Sequence, residues 1–301
     1  MSFSLSINTS FGNDPSSKIL TIASGVNGGN YFKVANSLCR FVNTNNTDAN
    51  IIKCVSRTTN GTLENINITM QDKSTIGIGQ LDAIINNENA NKLQFVAKLY
   101  IEPVFILASK TSDAKTFDDV ILQDKINIGS PKSGENATAK MLINAKNWKK
   151  VAVSEYGRYE IMSLLCSNRM NIAFLVSSNP SDLIFDIIKK CNAKLVPFTD
   201  EFINSFTTAN KGFERYVINK NTYPEQDFSV NTIATSTILF AHGETSEKIV
   251  EALLKSMFVD LKALQNSNPA FANRAIDAFF KNDTELKTHN GTTNFLKTLN
   301  K

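Results

Sequence analysis

The chain has 301 residues, 42% of them apolar and 20% charged, and its net charge is only +4. That length allows about two domains on a prior of ~100–200 residues each, and no apolar run nears the ~20 residues of a membrane span. Without a basic stripe or a nucleic-acid module, nucleic acid is not an expected partner.

Residues 1–17 read as a loose polar leader with neither a basic n-region nor an apolar h-region, so no signal peptide is visible. A strand is predicted over 18–23 and a helix over 31–42, where apolar residues recur at helical spacing. A strand over 50–55, a short helix over 62–70 and a buried strand over 74–78 follow. Two further strands are predicted over 94–100 and 104–109. The pattern then restarts with a strand over 125–129 and a helix over 135–146. After it come a strand over 150–154, a helix over 158–167, a strand over 171–176, a helix over 180–191 and a strand over 193–197. From about Thr245 the chain reads as helical, in three segments broken near Pro269 and Asp283. Such alternation implies an α/β fold with largely parallel sheets.

The restart is the informative feature. Residues 19–31 run strand, Gly-rich turn, helix, and residues 126–136 repeat that design. Ligands of open α/β sheets bind beyond the carboxyl ends of the strands. If two lobes face each other, both turns open into one cleft. Unpaired N–H groups and the helix dipole there favour a carboxylate or phosphate. Gly28-Gly29 and Ser133-Gly134 suit that role. The first turn misses the second glycine of a dinucleotide fingerprint, and no Gly-Lys-Ser/Thr completes a P-loop. A third polar turn carries Arg57, which could pair with an anion, and Thr59 and Asn60, which could donate into a cleft. Gln80 ends an apolar strand, where a buried amide needs partners.

Four cysteines, Cys39, Cys54, Cys166 and Cys191, form no Cys-x-x-Cys, and only two histidines could join them; zinc ligands normally come in close pairs, so a structural zinc site is not expected. Two readings stay open: four buried thiols acting as small hydrophobes, or pairing of Cys39 with Cys54 and Cys166 with Cys191 in an oxidising compartment. No Gly-x-Ser-x-Gly elbow or His-Glu-x-x-His is present, and His242 and His289 sit late in polar settings. No catalytic residue, metal or cofactor is expected.

At these turns the sequence resembles the substrate-binding proteins of TRAP transporters, in their TRAP-associated extracytoplasmic immunogenic (TAXI) branch. The residues that carry the resemblance are Gly28-Gly29-Asn30-Tyr31-Phe32, Thr59-Asn60-Gly61-Thr62 through Asn65, and Gln80-Leu81-Asp82. Leu99-Tyr100-Ile101-Glu102-Pro103-Val104, Gly129-Ser130-Pro131-Lys132-Ser133-Gly134, Thr222-Tyr223-Pro224 and His289-Asn290-Gly291 continue it in order. The resemblance implies a type II periplasmic-binding-protein-like fold, two α/β lobes joined by hinge strands. Lobe I is expected over 18–108 plus 232–301 and lobe II over 109–231. It also implies a monomeric extracytoplasmic receptor that passes a small organic acid or amino acid to the membrane permease subunits of a TRAP transporter. Glutamate, glutamine and 2-oxoglutarate-like acids are the expected class.

The expected ligand-binding residues are Asn27, Gly28, Gly29, Tyr31, Arg57, Thr59, Asn60, Gln80, Ser133, Gly134, Glu135, Asn136, Ser178 and Asn179. Two departures matter. Glu135 stands where the family has Thr and could hold a ligand amino group. Ser178-Asn179-Pro180 replaces a Gly-containing turn. The alternatives are an α/β enzyme using a carboxylate or Lys132 on a small anion, and a surface antigen with a disused pocket.

Overall fold

The computed structural model describes residues 19–46, 53–149, 151–272 and 274–299. The expected leader 1–17, and the first residues of the strands expected from 18, 50 and 150, lie outside the described residues.

The first half builds β1 (Ile19–Ala23), α1 (Asn30–Asn45), β2 (Lys53–Arg57), α2 (Thr62–Gln71), β3 (Thr75–Gln80) and α3 (Leu81–Ile85). β1 pairs in parallel with both β2 and β3. β3 is buried at every position, as expected of a strand covered on both faces. α1 turns Val34, Ala35, Leu38, Cys39, Phe41 and Val42 into the core, one stripe of an amphipathic helix.

β4 (Leu93–Ala108) follows as one strand of 16 residues, not the two expected on either side of Pro103. From Leu93 to Pro103 it pairs with β10 (Val230–His242), and from Val104 onward with β7 (Ile172–Val176). Pro103, which has no N–H to give, falls at this change of partner, and its carbonyl accepts the Ser177 N–H at 3.3 Å.

The second half adds β5 (Ile126–Asn127), α4 (Gly134–Ala145), β6 (Val153–Ser154) and α5 (Arg158–Cys166), all expected. β7, α6 (Asp182–Cys191) and β8 (Lys194–Leu195) complete that pattern. Unforeseen were α7 (Asp200–Ala209) and β9 (Phe213–Ile218); β9 pairs antiparallel with the first part of β10. Phe117 anchors the second core, its ring centroid 4.6 Å from Phe198 and 4.8 Å from both Trp148 and Phe202.

The carboxyl-terminal region returns to the first half through α8 (Glu247–Phe258), α9 (Leu261–Ser267) and α10 (Asn290–Leu299). Between Ser267 and Asn290 there are two short 3₁₀ turns, where the sequence reading expected α-helix. Local side-chain bonds compete with helix there: Asn268 caps Ala270, and Asn282 binds the Leu286 carbonyl and Thr288. The four cysteines are not free thiols but form two disulfides: Cys39–Cys54 ties α1 to β2, and Cys166–Cys191 ties α5 to α6 across β7. No described helix is long and apolar enough to cross a membrane.

Candidate functional site

Four helices begin at one place. α1 starts after Gly29, α2 after Gly61, α4 after Ser133 and α5 after Gly157. The first two belong to one half of the molecule and the last two to the other. Residues at all four starts line a cavity of about 450 Å³. Only Ser133 caps its helix with a side chain, accepting the Asn136 N–H at 3.1 Å. The three glycine-led starts have no side-chain cap, so their leading N–H groups are open to a partner.

The halves touch around this cavity. A Cβ on Gly134 would lie 2.1 Å from Gln80 Oε1 and 2.7 Å from Thr62 Oγ1, so only glycine lets them meet there. Gln80 Nε2 donates to Thr138 Oγ1 at 3.1 Å, and Thr138 donates to Asp82 Oδ2 at 2.7 Å. Asp82 is fully buried, and that burial pushes its carboxyl up to about 6. A second bridge runs from the Tyr159 hydroxyl to the Asn27 carbonyl. Beyond it lies a further cavity of about 430 Å³, which shares Val26, Gly29, Asn30, Arg158 and Tyr159 with the first.

Arg158 is the cation between the two cavities. It pairs with Glu135 at 3.0 Å and donates to the Val176 carbonyl, while the Val176 N–H donates to Glu135 at 3.2 Å. Burial works against the Arg158 charge, but Glu135 and Glu102 outweigh it and hold the guanidinium above its ordinary pKa. Burial raises Glu135, with Arg158 opposing it. Glu102 is buried at the cavity floor, accepting the Tyr31 hydroxyl at 2.8 Å and the Thr237 hydroxyl at 2.6 Å. Desolvation pushes it up to about 7 against those bonds and the Arg158 charge.

Tyr31, Asn60, Gln80, Ser133, Gly134 and Glu135 all line the first cavity. Asn27, Gly28, Ser178 and Asn179 line the second, and Gly29 lines both. The other three expected ligand residues line neither. Arg57 ends the edge strand β2 and is exposed. Thr59 is buried and donates to the Ser24 carbonyl and Asn65. Asn136 donates to the Gly129 carbonyl and Glu155. These two brace the turns rather than face a ligand. Glu135 lines the cavity, but one of its oxygens is already held by Arg158 and Val176.

Sequence reasoning missed Arg158, Glu102 and Tyr159. Two signals were present. A cation at the first position of a helix opposes the dipole and needs another reason to be there. A carboxylate in the apolar run 95–108 needs partners or a ligand. Lys132, the amine considered for catalysis, lines neither cavity. His242 accepts the Glu244 N–H, and His289 bonds the Thr245 carbonyl and the Gly291 N–H. Neither histidine lines the two cavities. Among the described residues no group of three or more His, Cys, Asp or Glu gathers as a metal site.

The NMT1-like family pattern matches residues 22–298. No curated protein matches the chain. Solved structures share the fold. MatC from Rhodopseudomonas palustris, with bound malate, has a TM-score of 0.52 at 15% identity, over 84% of this chain and 88% of that one. A TctC solute-binding protein from Polaromonas has a TM-score of 0.50 at 12% identity, over 84% and 88%. The effector-binding domain of QuiR, in complex with shikimate, has a TM-score of 0.51 at 11% identity, over 84% and 98%. At these identities the likeness establishes the two-lobed α/β fold of periplasmic binding proteins and nothing finer.

Proposed function

The chain belongs to the NMT1-like family, and on that premise we propose that it is an extracytoplasmic solute-binding receptor for a small organic acid or amino acid. The observation that carries this reading is the convergence of four helix starts, two from each lobe, on one cavity. Backbone N–H groups and Arg158 suit that cavity to a carboxylate. Glutamate, glutamine and 2-oxoglutarate-like acids match this chemistry. The bound malate of MatC is consistent with it.

The finer assignment is to the TAXI branch, with permease subunits of a TRAP transporter as the membrane partner and a monomer as the working form. The ordered motifs from Gly28 to Gly291 support it. Two disulfides favour an oxidising compartment outside the cytoplasm. We assign lobe I to 18–108 plus 232–301 and lobe II to 109–231, hinged on β4 and β10. The lobes close on the ligand as rigid bodies, with Gln80–Thr138 and Tyr159–Asn27 forming on closure. A calorimetric panel of these acids tests the reading. Saturable binding without turnover is expected, and conversion of a bound acid to product would replace the receptor by an enzyme.

A further inference from the structure

We infer that Glu102 sets the class of ligand: its free carboxylate oxygen receives a primary ammonium group, so the cleft takes an α-amino acid in preference to the matching diacid. This rests on the cleft being a solute site, as proposed above.

Glu102 is only 3% exposed, and it lines the interlobe cavity. Both of its protein hydrogen bonds, from Tyr31 and Thr237, fall on Oε2. Oε1 has no hydrogen-bond partner among the described residues. Oε1 is not fully enclosed, and a ligand that displaces solvent from it in the cavity must supply a donor in its place.

The other carboxylates around the cavity are engaged or solvated. Glu135 holds Arg158 and the Val176 N–H on Oε2. Its Oε1 is packed on Gly129, where a Cβ would sit 2.5 Å away. Glu155 accepts Lys140 at 2.9 Å and Asn136 at 3.0 Å. Glu160 is exposed at the rim. Glu102 is therefore the buried carboxylate of the cavity with only neutral hydroxyls in contact.

An α-amino acid complements this arrangement. Its carboxylate meets the helix starts and Arg158, and its ammonium offers three donors near Glu102. A diacid brings a second anion toward Oε1 and must leave Glu102 protonated. The titratable groups that act on Glu102 are Tyr31 from α1, Tyr100 on its own strand, Asp82 from α3 and Arg158 from α5. β10 contributes the uncharged Thr235 and Thr237.

Calorimetry with the matched pairs L-glutamate and glutarate, and L-aspartate and succinate, tests the inference. The amino member of at least one pair should bind about tenfold tighter or more at about pH 8, as one charge-assisted hydrogen bond would supply. Glu102→Gln should remove most of that ratio while the variant still melts cooperatively. Wild-type protein gives an independent readout. Amino-acid binding near pH 7, measured in buffers of different ionisation enthalpy, should release protons as Glu102 ionises. A diacid that binds as tightly as its amino partner, an unchanged ratio in Glu102→Gln, or the absence of proton release would overturn the inference. Binding of neither member of any pair would overturn the solute site itself, and this inference with it.

Discussion

At the scale of single residues, the site depends on charges that local structure disfavours. Arg158 opens a helix whose dipole repels it, and Glu135 and the Val176 carbonyl hold it there. Replacing Arg158 by Met leaves Glu135 buried without its partner. We expect a loss of roughly 3 kcal/mol in urea denaturation. Most of it should return when Glu135→Gln is added, because the stranded charge is then gone. The same Arg158→Met change should weaken ligand binding at least tenfold.

Asp82 and Glu102 make a second residue-level prediction. Burial raises both carboxyls, to about 6 and about 7. Between the unfolded pKa near 4 and those values, the folded chain holds protons that the unfolded chain has released. Their contribution to stability is therefore present below about pH 4 and is lost as pH rises through 6 and 7. Urea midpoints should be lower at pH 8 than at pH 5, and Asp82→Asn should shrink that difference.

These charges were the least legible part of the sequence. The glycine turns announce themselves because glycine has few other reasons to recur where a strand meets a helix. Arg158 reads as a cation set against a helix dipole, and its reason shows only when Glu135, 23 positions earlier, is brought beside it.

At the scale of elements, closure depends on how closely α4 approaches α2 and the end of β3. Gly134→Ala places a methyl group against Gln80 and Thr62. On the closure proposed above, it should raise ligand Kd at least tenfold in calorimetry and leave unliganded unfolding little changed, because the clash then arises only as the lobes close. The disulfides act within the lobes instead. They close separations of 15 and 25 residues, and loop-closure entropy assigns each about 3 kcal/mol. Removing either pair as Cys→Ser should lower the urea-derived stability by that order, with ligand affinity retained at temperatures where the protein stays folded.

Most parallel strands and covering helices were readable from period and turn chemistry, because each is a local pattern. β10 was less so. Its 13 residues are nearly all buried, and its pairing partners β3, β4 and β9 are set by tertiary contact. The aromatic residues between Pro269 and Phe280 mimic helical spacing, but their positions serve a ring cluster around Phe258, Phe279, Phe280 and Phe295.

At the scale of the molecule, β4 and β10 run through both halves, and the cavity between the halves is lined by Glu102 of β4. The restart of the strand–helix pattern near residue 125 made the two-lobed plan visible in the sequence. The close contact between lobes was not visible, because Gln80, Asp82 and Thr138 come from distant segments. The central claim is that this cleft captures a small acid or amino acid. A melting-temperature panel of glutamate, glutamine, 2-oxoglutarate and C4-dicarboxylates tests it most directly. A ligand at ~100 times its Kd adds about 2.7 kcal/mol to the folded state, which at this size is several degrees. We predict such a rise for at least one of these compounds, and its loss in Arg158→Met relative to that variant's own unliganded melt. No rise with any of them would contradict the account.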